Sequence, residues 1–328
     1  MIICDRQEAI EWMNRYGCEA HPFVFVVNYA RNCTLIEEPS CSDTLVYNFN
    51  GHTNEQAATD ASCPARTPLW TVHPCSFAHY LHSFGLVHRH LLRGDSFLAN
   101  LTCATPVTTD CTLREIYART EAPYKLWLKN HFVSFSPESF VRINGRRITS
   151  YPMKGTIDGN LPEAEQQLLS SPKEKAEHAT IVDLIRNDLS MVASHVMVVR
   201  YRYISRVNTC HGPLLQTSSE IEGLLPCDFS QHLGSILFRL LPAGSITGAP
   251  KTATVTLLSE AEGYDRGFYT GICGYFDGYS LDSAVIIRYV EQLGPGQMLF
   301  KSGGGITSQS DAASEYQEMI QKAYAPIR

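Results

Sequence analysis

The chain has 328 residues, of which 44% are hydrophobic and 18% are charged, and its formal net charge is −6. This composition excludes collagen-like, coiled-coil and largely disordered chains, and the negative charge disfavours general binding to nucleic acids, whose phosphates need clustered lysines and arginines. No apolar stretch approaches the roughly 18 residues of a membrane-spanning helix, and the N-terminus lacks a signal-peptide pattern, so we expect a cytoplasmic protein that does not contact membranes.

Short stretches rich in β-branched and aromatic residues predict strands along much of the chain. The predicted strands are 21–29, 43–49, 97–103, 132–135, 140–143 and 196–207. The polar, turn-rich segment 51–68 indicates a surface excursion. Asp277-Gly278 predicts a hairpin between strands 271–276 and 283–290. Because strands and helices do not alternate regularly, we expect an α+β protein with large, mainly antiparallel sheets.

Two predicted helices bear on function. The first begins with Ser171 as N-cap and Pro172 at the first helical position, and it continues to about Asp188. The second runs from about Asp311 to Tyr324 at the end of the chain. The apolar stripe predicted for this last helix comprises Ala312, Tyr316, Met319, Ile320 and Ala323.

Each of these helices carries two glutamates three residues apart, and residues with this spacing lie on one helix face. The pairs are Glu174 with Glu177 and Glu315 with Glu318. If the helices faced each other, four carboxylates would form an oxygen-rich site suited to Mg²⁺. Two simpler interpretations stay open: Glu174 closes a capping box at the helix start, and Glu318 pairs with Lys322 at i+4.

Lys154 lies in the segment Tyr-Pro-Met-Lys-Gly-Thr, where Pro152 and Gly155 predict a turn. A lysine on such a turn is usually solvated, but a desolvated amine can act as a nucleophile. Glu138, sixteen residues earlier at the start of a predicted strand, is either a surface carboxylate or a general acid with a raised pKa.

Two glycine-rich segments, 243–251 and 302–306, expose successive backbone N–H groups that can hold a carboxylate or a phosphate, or simply form tight turns. Neither fits a dinucleotide or P-loop fingerprint. Arg288 is predicted within a strand, on the face shared with Ile286 and Val290, where burial would require an anionic partner.

The chain contains eleven cysteines, an odd number, without a Cys-x-x-Cys pair. In a chain of this size we interpret them as buried thiols in a reducing compartment. Cys273, in Gly-Ile-Cys-Gly, is only superficially similar to the nucleophile of a glutamine amidotransferase, since the segment is predicted to be a strand that enters a hairpin.

In this order, the segments resemble the chorismate-utilising enzymes, over residues from about 87 to 326. Four blocks carry the resemblance: Glu177–Leu189, Leu241–Lys251, Gly267–Gly278 and Ser302–Ala323. The resemblance implies an α+β fold of one large domain, with two mainly antiparallel β-sheets packed face to face and helices outside. Residues 1–86 would form an N-terminal part of that domain with little similarity to the family, and residues 87–328 the catalytic region.

Within this family the chain is most similar to component I of the aminodeoxychorismate synthases, which feed p-aminobenzoate and folate synthesis. The distinguishing block is Pro-Met-Lys-Gly-Thr, because anthranilate synthases have a small residue where Lys154 stands. The resemblance implies that Lys154 forms a covalent adduct with the substrate and that Glu138 is the general acid. Anthranilate-forming members also have a histidine associated with pyruvate elimination, and this chain has Ser235 at that position.

The resemblance further implies a Mg²⁺ site, with Glu177 and Glu318 as the direct ligands and with Glu174 and Glu315 acting through water. It implies that substrate carboxylates are held by Arg288, Lys322 and the amides of the segment Gly303, Gly304 and Gly305. Tyr269, Ser245 and Thr247 are implied to line the same pocket.

One departure concerns the strand 97–101, where Leu98 replaces a glutamine that is common in the family, whereas Asn100 is retained. The implied substrates are chorismate and ammonia, with a separate glutamine amidotransferase subunit as the ammonia source. The alternatives are another chorismate-utilising activity (anthranilate, isochorismate or salicylate formation) and a catalytically silent chorismate-binding subunit.

Overall fold

The computed structural model describes residues 1–40, 42–55, 68–209, 212–294 and 296–324. Its strands are β1 Ile2–Cys4, β2 Phe23–Val27, β3 Thr34–Glu37, β4 Leu45–Phe49, β5 His52–Thr53, β6 Trp70–Val72, β7 Leu98–Thr109, β8 Tyr124–Leu128, β9 Phe132–Ser136, β10 Ser139–Asn144, β11 Arg147–Ser150, β12 Met153–Asp158, β13 Ser194–Thr209, β14 Gly212–Leu224, β15 Gly248–Ala249, β16 Ile272–Phe276, β17 Ser280–Val285, β18 Tyr289–Gly294 and β19 Gln297–Ile306. Its α-helices are α1 Arg6–Cys18, α2 Phe77–Arg93, α3 Leu113–Arg119, α4 Ala164–Ser170, α5 Pro172–Ser190, α6 Leu233–Leu240, α7 Lys251–Glu262 and α8 Ala312–Lys322. Short 3₁₀ helices cover Phe229–His232 and Gly244–Ile246.

These strands form two antiparallel sheets. Sheet A has the order β1-β3-β2-β16-β17-β10-β11-β14-β12, and β13 pairs with β14. Sheet B has the order β15-β7-β19-β18-β9-β8-β4-β5, and β6 pairs with β7. The α+β class and the antiparallel sheets expected from the sequence are therefore confirmed.

The two sheets pack face to face, and the alternation of side chains along their strands places one apolar face of each in the interface. Val24 and Val26 of sheet A pack there against Leu45, Leu126 and other residues of sheet B. The outer face of sheet A is covered by α1, α5 and α6, and the outer face of sheet B by α2, α3, α7 and α8. Helices thus lie outside the sheets, as predicted.

The two helices singled out in the sequence are confirmed. Ser171 caps α5 by accepting a hydrogen bond from the Glu174 N–H, and proline occupies the first helical position. Asp311 caps α8 by accepting from the Ser314 N–H, and α8 ends at Lys322, two residues before the predicted end. Met319 and Ala323 of the predicted stripe are buried.

The predicted hairpin at Asp277-Gly278 is confirmed for its first strand and turn but not for the extent of its second strand. β17 covers Ser280–Val285 and pairs with β16 in sheet A. Tyr289 then starts β18 in sheet B, so the predicted strand 283–290 is two strands in different sheets. Arg288 lies in the bend between them with φ +53° and is not part of a strand, so it does not share a strand face with Ile286 and Val290.

Of the predicted surface excursion 51–68, residues 56–67 lie outside the described residues. The eight cysteines among the described residues are free thiols. The prediction that they are buried is correct for Cys4, Cys111 and Cys273 and wrong for the exposed Cys18 and Cys227. The other three, Cys33, Cys75 and Cys103, are half-buried.

Candidate active site

A pair of neighbouring strands passes from sheet B to sheet A, and one predicted site residue lies at the point where each strand changes sheet. β9 and β18 pair in sheet B, and their continuations β10 and β17 pair in sheet A. Glu138 lies between β9 and β10, and Arg288 lies between β17 and β18. The Val285 N–H donates to the Glu138 carbonyl and the Phe135 N–H donates to the Arg288 carbonyl, each at 3.1 Å. The fold therefore places both residues side by side at the junction of the sheets.

Glu138 is half-buried, and its carboxyl group is hydrogen-bonded within the protein. The Ser245 hydroxyl donates to Glu138 Oε1 at 2.6 Å across the gap between β10 and the 243–251 segment. Burial raises the pKa of Glu138, whereas the Ser245 hydrogen bond and the positive charges of Lys154 and Arg288 act in the opposite direction. A carboxyl group that stays protonated to higher pH is suited to act as a general acid.

Lys154 lies in β12, so the turn predicted at this point is wrong. The pairing of β12 with β14 shifts register between Lys154 and Thr156, which is a β-bulge, and Gly155 has φ +78° there. The pattern Pro-x-Lys-Gly marks this bulge, since glycine adopts the positive φ without strain. The bulge interrupts the regular pairing of β12 with β14. The Thr217 hydroxyl donates to the Lys154 carbonyl at this point.

His178 of α5 contacts strand β14 next to this bulge. Its side chain is fully buried, with Nε2 2.7 Å from Ser219 Oγ and Nδ1 3.4 Å from Thr217 Oγ1. Burial lowers the pKa of His178 to about 4, and the positive charge of Arg202 acts in the same direction. The imidazole is therefore neutral near pH 7 and links α5 to the strands that carry Lys154. The sequence analysis missed this residue, although it directly follows Glu177.

The Lys154 amine points to the glycine segment of β19. A Cβ atom placed on Gly305 would lie 2.9 Å from Lys154 Nζ and 3.3 Å from Leu98 Cδ1. Glycine therefore keeps space open at the tip of the lysine side chain. Leu98, which is 6% exposed, is part of the same wall.

The amides of this segment do not all face the same way, which corrects the prediction for Gly303–Gly305. Their partners on β7 are Thr102, Leu101 and Asn100 in that order. The Thr102 and Asn100 N–H groups donate to Glu262 Oε1 and the Thr247 carbonyl, away from β19. In an antiparallel ladder, Thr102–Gly303 and Asn100–Gly305 are therefore non-hydrogen-bonded pairs. The N–H groups of Gly303 and Gly305 are thus directed away from β7, whereas that of Gly304 faces Leu101.

Lys322 of α8 lies on the side to which Gly303 and Gly305 point. Lys322 Nζ donates to the Gly303 carbonyl at 2.8 Å and pairs with Glu318 Oε1 at 2.7 Å. The i+4 pair considered in the sequence analysis is thus present. Burial lowers the pKa of Lys322, the Glu318 charge opposes this, and Arg288 and Lys154 add to it. Three cationic side chains are therefore near one another beside the glycine segment.

The four glutamates of the predicted Mg²⁺ site approach this region from two sides. In the described parts of the chain, no three histidine, cysteine, aspartate or glutamate side chains are close enough together to hold a metal ion. Protein groups engage some of the carboxylates, since Glu318 pairs with Lys322 and the Ser310 hydroxyl donates to Glu315 Oε1 at 2.9 Å. The four-carboxylate cage is therefore not preassembled.

The residues nevertheless fit Mg²⁺ in donor chemistry and in space. Carboxylate oxygens are the ligands that this ion prefers, completed by water and substrate oxygens. A Cβ atom on Gly155 would collide with Glu174 Oε2, and one on Gly304 would lie 3.3 Å from Glu315 Oε2. Glycines on β12 and β19 thus leave the room that a carboxylate from each helix occupies.

The remaining predicted residues surround the same junction. Ser245 contacts Glu138, as described above. Thr247 is fully buried beside β7, and Tyr269 is 3% exposed with its ring 5.8 Å from that of Tyr289. Burial raises the pKa of Tyr269, so its phenol is neutral near pH 7.

Arg266 connects three segments of this site and was missed in the sequence analysis. It is 2% exposed and forms a bidentate pair with Glu262, at 2.8 and 2.6 Å. The guanidinium also donates to the Ile246 and Asn100 carbonyls and to the Thr270 hydroxyl, at 3.1, 2.7 and 3.2 Å. One buried cation thereby joins the 243–251 segment, β7 and the residue after Tyr269. The signal in the sequence was an Arg four residues after a Glu at a helix end.

Two residues that the sequence analysis set aside are also placed. Ser235 on α6 exchanges two hydrogen bonds with the Asn14 side chain of α1, at 3.0 and 3.1 Å, so it joins helices on the outer face of sheet A. Cys273 is 2% exposed in β16, and burial raises the pKa of its thiol, which opposes a nucleophilic role. None of the helices in the described ranges is long and apolar enough to cross a membrane.

Several known proteins are similar to this chain in sequence or in fold. A family model described as chorismate binding enzyme matches residues 29–328. An uncharacterized PabA-like protein of Haemophilus influenzae is 47% identical over 98% of this chain and 97% of its own. An aminodeoxychorismate synthase component 1 of Salmonella typhimurium is 32% identical over 80% of this chain and 61% of its own. The structure of MenF, the menaquinone-specific isochorismate synthase of Escherichia coli, matches with a TM-score of 0.74 at 16% identity, over 98% of this chain and 81% of its own, and it shares the fold.

Proposed function

This chain belongs to the family of chorismate binding enzymes, and we propose that it aminates chorismate to 4-amino-4-deoxychorismate, the reaction of an aminodeoxychorismate synthase component I. The observation that carries the proposal is the position of Lys154. Its amine reaches the glycine segment of β19 at Gly305, near the Glu138 carboxyl group and the cationic Arg288 and Lys322. A nucleophile, an acid and groups for two carboxylates thus meet in one place. A relative named for this activity, 32% identical, adds support.

Chorismate is a dianion, and the site offers cationic and N–H groups for its carboxylates. Arg288, Lys322 and the outward amides of Gly303 and Gly305 bind them in this proposal, with Ser245, Thr247 and Tyr269 lining the pocket. The ring would lie between Lys154 and Glu138. This placement would direct the Lys154 amine to C2 and the Glu138 carboxyl group to the oxygen on C4.

The first step displaces the C4 hydroxyl group. Lys154 Nζ, once it has given its ammonium proton to solvent, forms a bond to C2, the ring double bond shifts, and the C4–O bond breaks. Protonated Glu138 gives its proton to the departing oxygen, which leaves as water. The desolvation that raises the pKa of Glu138 supports this role, since it favours the protonated form.

The second step reverses the shift with nitrogen as the nucleophile. Ammonia forms a bond to C4, the double bond returns, and the C2–N bond to Lys154 breaks. The Glu138 carboxylate accepts a proton from the new C4 nitrogen, so both side chains return to their starting states. Two allylic displacements replace one difficult direct displacement, which is the usual advantage of covalent catalysis.

Glu177 and Glu318 would hold Mg²⁺ directly, and Glu174 and Glu315 would act through water. The bound ion would supply positive charge to neutralise the ring carboxylate. Chorismate binding would add oxygens to this ligand set, in keeping with carboxylates that approach from α5 and α8 without forming a cage by themselves.

The ammonia would come from a separate glutamine amidotransferase subunit, and the product would serve p-aminobenzoate and folate synthesis in the cytoplasm. Cys273, which is buried in β16, is not suited to supply a glutaminase within the described part of the chain.

A product assay tests the proposal. The purified chain is mixed with chorismate, Mg²⁺ and concentrated ammonium at alkaline pH, and the products are identified by mass spectrometry. We expect an aminated product that retains the enolpyruvyl group. Lys154→Ala should lower its rate by about three orders of magnitude or more, because the nucleophile is lost.

Lys129→Ala, at an exposed turn between β8 and β9, is the matched control and should react as the wild type does. Circular dichroism establishes that each variant is folded. Anthranilate, isochorismate or salicylate as product would replace the proposal with one of those activities. A folded chain that binds chorismate without turnover, even with an amidotransferase added, would instead be a silent subunit.

A further inference from the structure

A small cavity lies behind Glu138, between β10 and β11 of sheet A and the helices α5 and α6. Its volume is about 20 Å³, enough for one water-sized molecule, since about 10–15 Å³ is the minimum by this measure. The polar residues that line it are Glu138, Ser139, Ser150, Asp188 and Ser245. Glu138 and Ser245 belong to the candidate active site, so the cavity adjoins the proposed point of reaction.

Each of the three serine hydroxyls in this lining already donates its hydrogen bond to a protein oxygen. Ser139 donates to the Ser283 carbonyl at 3.3 Å, and Ser150 donates to the Phe140 carbonyl at 2.9 Å. Ser245 donates to Glu138 at 2.6 Å. Each hydroxyl oxygen still has a lone pair with which it can accept a hydrogen bond.

The two acids add further acceptors. Asp188 is 7% exposed and pairs with Lys251 at 2.8 Å, and Lys251 Nζ also donates to the Leu240 carbonyl at 2.7 Å. Lys251 is therefore engaged with two residues that line the cavity. The rest of the lining is apolar and comprises Phe140, Val141, Pro152, Ile185, Leu189 and Leu240. An apolar wall with a few oxygen acceptors disfavours an ion and suits a small neutral molecule with N–H or O–H donors.

We propose that this cavity is the binding site for the ammonia that attacks C4 of chorismate, an inference that rests on the proposed function. Ammonia has three N–H groups and one lone pair, so it can donate to several acceptors of the lining. Its lone pair stays available for C4. Water, with two donors, is the competing occupant, and the kinetic test separates the two.

The position beside Glu138 fits the proton transfer that the proposed second step requires. When the C4–N bond forms, the nitrogen carries an extra proton, which passes to the Glu138 carboxylate that gave up its own proton in the first step. The C2–N bond to Lys154 breaks at the same time, so charge and atoms balance. A nucleophile held against Glu138 is thus already next to the base that it needs.

Val141 lines the cavity from β10 and allows its size to be changed without a change in polarity. Val141→Ile should narrow it, and we expect the KM for ammonia at saturating chorismate to rise about tenfold, the discrimination that one methylene gives in a closed pocket. The KM for chorismate should not change. Val182→Ile is the control, since Val182 is buried in the same apolar cluster and does not line the cavity.

Val141→Ala makes the opposite change and should let methylamine compete better with ammonia, giving an N-methylated product by mass spectrometry. Thermal unfolding of all three variants establishes that they are folded. If the wild type aminates chorismate and both Val141 variants match it in the KM for ammonia and in amine selectivity, the cavity holds only structural water and the inference is wrong. If the wild type produces no aminated product, the proposed function fails and this inference fails with it.

Discussion

At the scale of single residues, burial gives different roles to two carboxyl groups at the same cavity. Burial raises the pKa of both Glu138 and Asp188. Asp188 has Lys251 as a direct ion-pair partner at 2.8 Å, whereas Glu138 has a neutral hydroxyl partner, Ser245, at 2.6 Å. Asp188 is therefore suited to hold structure, and Glu138 to exchange a proton.

The raised pKa of Glu138 predicts a pH dependence of stability. The native state favours the protonated form, so wild-type stability should fall as pH rises from the ordinary glutamate pKa of 4.5 through the raised value. The amide introduced by Glu138→Gln cannot ionise, so the stability of this variant should not fall for this reason as the pH rises. Urea unfolding at pH 5 and pH 9 should therefore show the stability of the variant relative to the wild type increasing with pH.

Glu165→Gln, at an exposed position of α4, should show no such pH-dependent gain. Glu138→Gln should also lower the rate of chorismate amination by about 10²–10⁴-fold, the contribution of a positioned general acid. Equal pH dependence in Glu138→Gln and the wild type would contradict a desolvated Glu138.

At the scale of elements, Arg266 and Glu262 hold several segments in register. The pair is 2% and 3% exposed at its side chains, and the guanidinium reaches carbonyls of the 243–251 segment and of β7. Arg266→Met would leave Glu262 buried without its partner. We expect a loss of about 3–5 kcal/mol in the free energy of unfolding, measured by urea denaturation.

The double variant Arg266→Met with Glu262→Gln should recover part of this stability, because the unpaired charge is gone. It should not recover chorismate turnover, since the contacts to the Ile246 and Asn100 carbonyls stay lost. Full recovery of turnover in the double variant would show that Arg266 does not position these segments.

Glu174 of α5 lies against Gly155 of β12, and Glu315 of α8 lies against Gly304 of β19. We expect Mg²⁺ with chorismate to raise the thermal stability of the wild type, since a ligand that binds the native state stabilises it. Glu177→Gln and Glu318→Gln should each weaken this stabilisation, measured by thermal unfolding over a Mg²⁺ titration. Asp183→Asn, at an exposed site on α5, serves as control. Stabilisation by Mg²⁺ that is unchanged in both glutamine variants would contradict the assigned ligands.

At the scale of the whole molecule, the candidate site is created by the passage of two paired strands from one sheet to the other. β9–β18 in sheet B continues as β10–β17 in sheet A, and the bends contain Glu138 and Arg288. Backbone hydrogen bonds at the two bends keep Glu138 and Arg288 next to each other at the junction of the sheets. The deletion of either bend would therefore remove a site residue and a connection between sheets together.

Much of the fold could be predicted because its signals are local. The Ser171 cap, the proline at the first turn and the apolar period of α5 are contained in one segment. The pair Asp277-Gly278 marks the turn between β16 and β17 in the same way. The strand 283–290 was wrongly joined because β17 and β18 are both apolar and are separated by only three residues, and apolar periodicity does not reveal a change of sheet.

By itself the sequence determined the α+β class and the two carboxylate-bearing helices, since these depend on spacing within short segments. The set of candidate residues came from the resemblance to a family. Only the tertiary structure decided which of these residues meet. Ser245 and Glu138 are 107 positions apart and yet hydrogen-bonded, and Asn100 and Arg266 are 166 apart. Such contacts depend on how two sheets and their helices pack, and on the water that this packing excludes. The same packing raises the pKa of Glu138 and encloses the cavity behind it.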